Sequence, residues 1–158
     1  MQFADFILQD AVRTEIEATN KPGVIREMVQ SLMNAGGVKK EEFDGIVKAI
    51  LKREELGSTG LGRGIAVPHT KHASVQRPVG CVAVSQSGVD FEALDCEKVH
   101  LFFLIVSPPD QPGEHLRALE HITRQIKDET FCRFLKQSKT KDDILTLLAE
   151  ADDNMFGK

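Results

Sequence analysis

The chain has 158 residues, 41% of them apolar, and a formal net charge of −4. That suits one soluble domain able to bury a real core without staples. Acids and bases are interspersed with no lysine/arginine block, and Trp and Tyr are absent, which disfavours a nucleic-acid partner.

Residues Phe3 to Leu8 read as a short helical lead-in. Val12, Thr14 and Ile16 alternate with charged residues, a half-buried strand pattern. Asn20-Lys21-Pro22-Gly23 breaks that strand and opens a helix, with Pro22 suited to its first turn. Ile25, Met28, Val29, Leu32 and Met33 form its apolar stripe, and Gly36-Gly37 ends it. A second helix is expected from Lys40 to Glu54, with Phe43, Ile46, Val47, Ile50 and Leu51 on one face.

Gly57, Gly60, Gly62 and Gly64 then fall within eight residues, with Ser58 and Thr59 among them. Such a segment either turns sharply or approaches something closely. Strands are expected at Ile65–Val67, leading into His69, and at Val79–Val84. A third, at Val99–Val106, is apolar enough to be central and buried on both faces. A Pro/Gly-rich turn, Ser107 to Gly113, precedes three helices. Their stripes are Leu116, Leu119, Ile122 and Ile126; then Phe131, Phe134 and Leu135; then Ile144, Leu147 and Leu148 after a Thr140–Asp143 capping box. The order argues one layered α/β domain over residues 1–150, with 151–158 a frayed C-terminal tail.

The three cysteines, Cys81, Cys96 and Cys132, include no CxxC pair, and Cys81 sits in an apolar run where an inert buried thiol is expected. That usage fits a reducing cytoplasm. No signal-peptide pattern opens the chain, and its longest apolar run, Leu101 to Val106, is too short to span a bilayer, so no membrane insertion is expected.

The strongest local signal is Gly62-Arg63-Gly64-Ile65-Ala66-Val67-Pro68-His69-Thr70-Lys71. An apolar run stops at a proline and the next residue is an imidazole, a nucleophile and proton acceptor near cell pH. His115 follows another strand, at the start of a helix, where ligand sites gather in layered α/β folds. Arg53 ends the helix that feeds the glycine segment, and a guanidinium grips two oxygens at once. Ser58 and Thr59 offer hydroxyl donors. This set suits holding a phosphoryl group directly on nitrogen, since positioned donors supply most of the catalysis in phosphoryl transfer.

Blander readings stand beside this one. A histidine after a strand is often a packing residue, Arg53 can serve its helix dipole, and the glycines can be plain turns. A metal site is not expected: His69 and His72 lie in a strand-to-loop segment, His115 and His121 are six residues apart on a helix, and no cysteine pair or HExxH frame joins them. His121 is expected on the helix surface, His72 in a polar loop and His100 in a strand. There is no GxSxG elbow and no GxxxxGK[ST] loop.

At these residues the chain resembles the enzyme IIA domains of the bacterial phosphoenolpyruvate-dependent sugar phosphotransferase system, of the fructose/mannitol and nitrogen-regulatory type. The resemblance runs from about Phe6 to Glu150. It is carried by Lys52-Arg53-Glu54-Glu55-Leu56, by Gly64-Ile65-Ala66-Val67-Pro68-His69, by the strand ending Ser107-Pro108-Pro109-Asp110, and by Glu114-His115-Leu116. It implies a mixed β-sheet flanked by helices on both faces, the mannitol-type IIA fold. It implies that His69 takes a phosphoryl group from phospho-HPr on Nε2, with Arg53 and His115 as the other active-site residues, and with no cofactor. In transporting members the group passes to a IIB cysteine. In nitrogen-regulatory members, the alternative, phosphorylation governs binding to target proteins without sugar transport. One position departs from the pattern: family members commonly carry glycine after the histidine, and here Thr70 stands there, which disfavours positive φ.

Overall fold

The computed structural model describes residues 1–154. The N-terminal lead-in is a single turn, α1 (Phe3–Phe6), followed by a 3-10 turn at Gln9–Ala11. The expected strand over Val12–Ile16 is not a full strand. It is an extended segment that joins the strand at Val79–Val89 through Arg13, whose N–H donates to Val82 O at 2.9 Å while Val84 N–H donates to Arg13 O, and through Ile16, whose N–H donates to Val84 O at 2.9 Å. Helix α2 (Lys21–Asn34) starts at Asn20, whose side chain accepts from Gly23 N–H, and carries Pro22 in its first turn. Helix α3 (Phe43–Glu55) is preceded by a 3-10 turn at Lys40–Glu42.

The glycine segment does both things its composition allows. It forms a hairpin, β1 (Gly60–Gly62) against β2 (Ile65–Ala66), through Arg63 (φ 58°) and Gly64 (φ 75°). Positive φ at both turn residues matches the right-handed twist of the flanking strands. A Cβ on Gly60 would meet the Ala93 Cβ at 2.7 Å, so a side chain does not fit there.

Strand β5 (Val99–Ser107) is the axis of the sheet. On one side it pairs antiparallel with β4 (Val79–Val89). On the other it pairs parallel with β2, at Leu101 and Phe102, and then with β3 (His69–Lys71), from Ile105 to Ser107. β2 and β3 are therefore two pieces of one extended path. Pro68, which has no N–H to donate, interrupts it. The sequence placed His69 just past a strand; it instead opens the second piece. Thr70 lies in β3 opposite Val106 and is not among the positive-φ residues, so threonine meets no backbone conflict here.

Alternation along β5 divides the core. Val99, Phe102, Leu104 and Val106 pack with α2 and α3, whereas Leu101, Phe103 and Ile105 pack with α1 and the C-terminal helices. The molecule is thus a mixed sheet with helices on both faces, as expected. The C-terminal helices are α4 (Pro112–Gln125), α5 (Glu129–Gln137) and α6 (Lys141–Asp152).

The stripes of α4 and α5 need correction. Leu116 is 56% exposed and Phe134 41%, while His115, Ala118, His121 and Ile122 face inward on α4, and Cys132 joins Phe131 and Leu135 on α5. His121, expected on the surface, is buried. Its Nε2 lies 2.9 Å from Asp152 Oδ1, and its ring sits edge-on to Phe3 at 4.5 Å. The first residues of the expected tail are also ordered. Ala151 is buried, and Asp152 accepts the N–H groups of Phe3 and Ala4, tying α6 to the start of α1. The remainder of that tail, 155–158, lies outside the described residues. Among the described residues no helix is long and apolar enough to cross a membrane.

Candidate functional site

The fold brings His69 and His115 together. Parallel pairing sets His69 opposite Ile105, two residues before the end of β5, and the Ser107–Gln111 turn returns the chain so that the first turns of α4 lie over that end. The two rings are 5.6 Å apart, centroid to centroid, inclined at 52°. The two signals that the sequence could only place at the ends of two strands therefore share one site.

Each ring is held by one nitrogen. His69 Nδ1 lies 2.8 Å from Val67 O. A carbonyl can only accept, so Nδ1 carries the proton and the Nε2 of the neutral ring bears the lone pair. Burial pushes the His69 pKa below its ordinary 6.5, and the Arg53 charge adds to this; the Val67 hydrogen bond and the Glu54 carboxylate oppose it without reversing it. His115 Nδ1 lies 2.6 Å from the Ser107 hydroxyl. Burial first, then the charges of His69 and Lys71, bring the His115 pKa down to about 4. Both imidazoles are neutral at cell pH.

Arg53 is half-buried at the C-terminal end of α3, and its charge is near enough to act on His69. Its Nη1 donates to Gly57 O at 3.1 Å, which closes the helix end and fixes the guanidinium, and its other N–H groups donate to no other described residue.

The hydroxyls of Ser58 and Thr59 are engaged elsewhere. Ser58 Oγ donates to Phe91 O at 3.2 Å and accepts from Gly60 N–H. Thr59 is buried; its hydroxyl donates to Glu54 Oε2 and its N–H to Glu54 Oε1 at 3.1 Å. Both residues shape the loop beneath the site, and neither hydroxyl is turned loose toward His69.

Two polar residues here were not singled out from the sequence. Glu54 is 5% exposed and ion-paired with buried Lys21 at 3.0 Å. Its signal was available: Val47, Ile50 and Glu54 fall at i, i+3 and i+7, so helical spacing puts a carboxylate on the apolar stripe. Ser107 is the other, fully buried at the end of the most apolar strand. Its marks were a hydroxyl closing such a run and its place at the head of Ser107-Pro108-Pro109-Asp110. Of the remaining histidines, His72 bonds Ser74 in its loop and His100 bonds Ser85 O from β5, both apart from this pair.

Chemically, the arrangement offers one nucleophilic nitrogen, a neutral ring beside it and a fixed cation. That combination suits holding an anionic group.

Comparison with known proteins gives the family and the fold. The family model described as "Phosphoenolpyruvate-dependent sugar phosphotransferase system, EIIA 2" matches residues 5–151. The fructose-specific EIIABC component of Bacillus subtilis (strain 168) is 34% identical over 152 residues, covering 96% of this chain; the chain spans only 24% of that protein's length. The crystal structure of nitrogen regulatory protein IIA-Ntr from Neisseria meningitidis superposes with a TM-score of 0.82 at 25% identity, covering 92% of this chain and 98% of that one. The IIA mannitol protein of Escherichia coli, in its complex with phosphorylated IIB, gives a TM-score of 0.73 at 26% identity and covers 89% of this chain and 94% of that one.

Proposed function

The chain belongs to the EIIA 2 family of the phosphoenolpyruvate-dependent sugar phosphotransferase system, and from that premise we propose that it is a phosphocarrier whose acceptor atom is Nε2 of His69. The observation that carries this reading is the 2.8 Å contact from Nδ1 to Val67 O, which leaves Nε2 as the free lone pair. The donor is phospho-HPr. Nε2 attacks phosphorus, the N–P bond to the donor's ring breaks, and the electron pair leaves with that ring. The His69 ring then carries both Nδ1–H and Nε2–P, and Val67 O steadies the resulting positive charge.

His115 is a neutral donor. We assign the Ser107 O–H as the donor to Nδ1, which puts the proton of His115 on Nε2, available to a phosphoryl oxygen. Arg53 supplies the compensating cation. In the onward step a IIB cysteine thiolate attacks phosphorus and His69 recovers its lone pair. The complex of the mannitol relative with phosphorylated IIB supports such a partner. Pulse-labelling the protein with phospho-HPr and then adding IIB tests this: rapid loss of label to the IIB cysteine is expected, and label that never leaves His69 argues against a transport role.

A second reading rests on the TM-score of 0.82 to a nitrogen regulatory IIA protein. In it the phosphoryl group stays on His69 and alters binding to a target protein. Retained label together with phosphorylation-dependent pull-down of a partner distinguishes that outcome.

A further inference from the structure

A cavity of about 440 Å³ opens between the β1–β2 hairpin and α5. Arg63, Arg133 and Lys136 line it, with Ile65 and Cys132 as its apolar lining and Glu129 as its one acid. None of the three cations forms an ion pair among the described residues. They are nevertheless fixed. Arg63 Nη2 donates to Ile126 O at 2.7 Å, and Lys136 Nζ donates to Arg63 O at 2.7 Å. Arg133 stacks its guanidinium over Phe134, 5.6 Å from the ring centre.

Each head keeps N–H donors unspent, since a guanidinium has five and an ammonium three. Like charges gathered in a concavity repel one another, and a bound anion removes that cost. Burial chiefly pushes the Lys136 pKa below the ordinary 10.5; the Cys132 thiol opposes it and the Arg63 charge adds to it.

We propose that this cavity binds a small phosphorylated metabolite, its phosphate held by Arg63, Arg133 and Lys136 and its carbon skeleton against Ile65 and Cys132. A phosphate monoester carries roughly −1.5 to −2 charge and three acceptor oxygens, a better match to three cations than a single carboxylate. The volume falls in the range of small-molecule sites, about 300–1,000 Å³. The place is distinct from the candidate nucleophile. Ile65 pairs with Leu101 and His69 with Ile105, so the two lie four residues apart along β5, roughly 13 Å.

The test is a ¹H–¹⁵N NMR titration of the full chain with inorganic phosphate, 3-phosphoglycerate and citrate. Saturable shifts at residues 63, 132, 133 and 136 are expected with 3-phosphoglycerate, at a Kd below about 1 mM, with weaker shifts at the same residues from inorganic phosphate. Among the described residues Arg133 makes only the ring contact with Phe134, so Arg133→Gln should leave the fold intact; it should weaken binding at least about fivefold, and Arg63→Gln with Lys136→Gln should abolish it. No saturation by about 10 mM, shifts unmoved by Arg133→Gln, or citrate binding as tightly as 3-phosphoglycerate would each overturn the proposal. The phosphocarrier reading stands or falls separately, because amides at 69 and 115 report that site.

Discussion

His69 Nδ1 lies 2.8 Å from the carbonyl oxygen of Val67, two residues back along its own chain. Pro68 lies between β2 and β3 with its own carbonyl taken by Ile105 N–H at 3.1 Å, and the ring turns back past it to the Val67 carbonyl. One local backbone choice thereby selects the tautomer, the orientation of the ring and the atom left to react.

That choice has a pH signature. Burial lowers the pKa of His69 below 6.5 and brings His115 to about 4. A lowered pKa keeps the nucleophile neutral further into acid, so the rate of phosphoryl uptake should be flat above neutrality and fall only below the ordinary histidine range. Stopped-flow transfer from phospho-HPr across pH 5 to 8 measures it. An inflection displaced above 6.5 would mean that burial does not govern the ring.

The same groups predict a stability trend. In the unfolded chain these histidines titrate near 6.5, while in the folded protein they resist protonation. The unfolded state therefore binds more protons as pH falls, and stability present above 6.5 is lost in acid. For His115 the loss reaches about 1 kcal/mol by pH 5.5. Urea melts at pH 7.5 and 5.5, with His115→Gln as the comparison, should show a smaller acid loss in the variant.

Among the described residues Arg53 makes a single hydrogen bond, to Gly57 O. Replacing it should leave the fold intact and disturb the cation that the proposed mechanism sets beside the phosphoryl group. Arg53→Lys keeps charge but loses the planar fork, and transfer should slow by about 10- to 100-fold. Unchanged thermal melting with a lowered single-turnover rate is the expected pair of readings.

In the proposed mechanism Ser107 acts through His115. Ser107→Ala frees the His115 Nδ1 and lets the other tautomer form, taking the donor proton off Nε2. Transfer should slow about tenfold with the phosphorylated residue unchanged. Restored activity in Ser107→Thr distinguishes hydroxyl positioning from simple packing; equal rates in Ser107→Ala and the parent protein would remove Ser107 from the mechanism.

Glu54 and Lys21 form a buried ion pair at 3.0 Å, with Thr59 donating twice to the same carboxylate. Cutting Glu54 to Ala strands the Lys21 ammonium and the Thr59 N–H, a cost of about 3 kcal/mol by denaturant unfolding. Glu54→Gln should cost less, because it still accepts from Thr59.

Much of this was legible from residue order, but unevenly. The apolar run at Val99–Val106 announced a central strand, and Pro68 before His69 announced a break with an imidazole at it, because both are written in contiguous residues. The contact between His69 and His115 was not, since it depends on β3 pairing parallel to the end of β5. Leu116 misled because helical spacing alone does not say which of two neighbouring stripes faces the sheet; His115, Ala118 and Ile122 won that place. Ser58 and Thr59 were visible as hydroxyls near the site, but their donors are used by Phe91 O and Glu54, partners that only the tertiary fold supplies. His121 is buried by Asp152, 31 residues away, a pairing that local periodicity does not encode.

The most direct test is intact-mass measurement after incubation with phosphoenolpyruvate, enzyme I and HPr, on the parent protein and on His69→Ala. The parent should gain a single acid-labile phosphoryl group and the variant none. A variant that still takes up the group, or a parent whose label survives acid, would place the chemistry on an atom other than the Nε2 that Val67 leaves free.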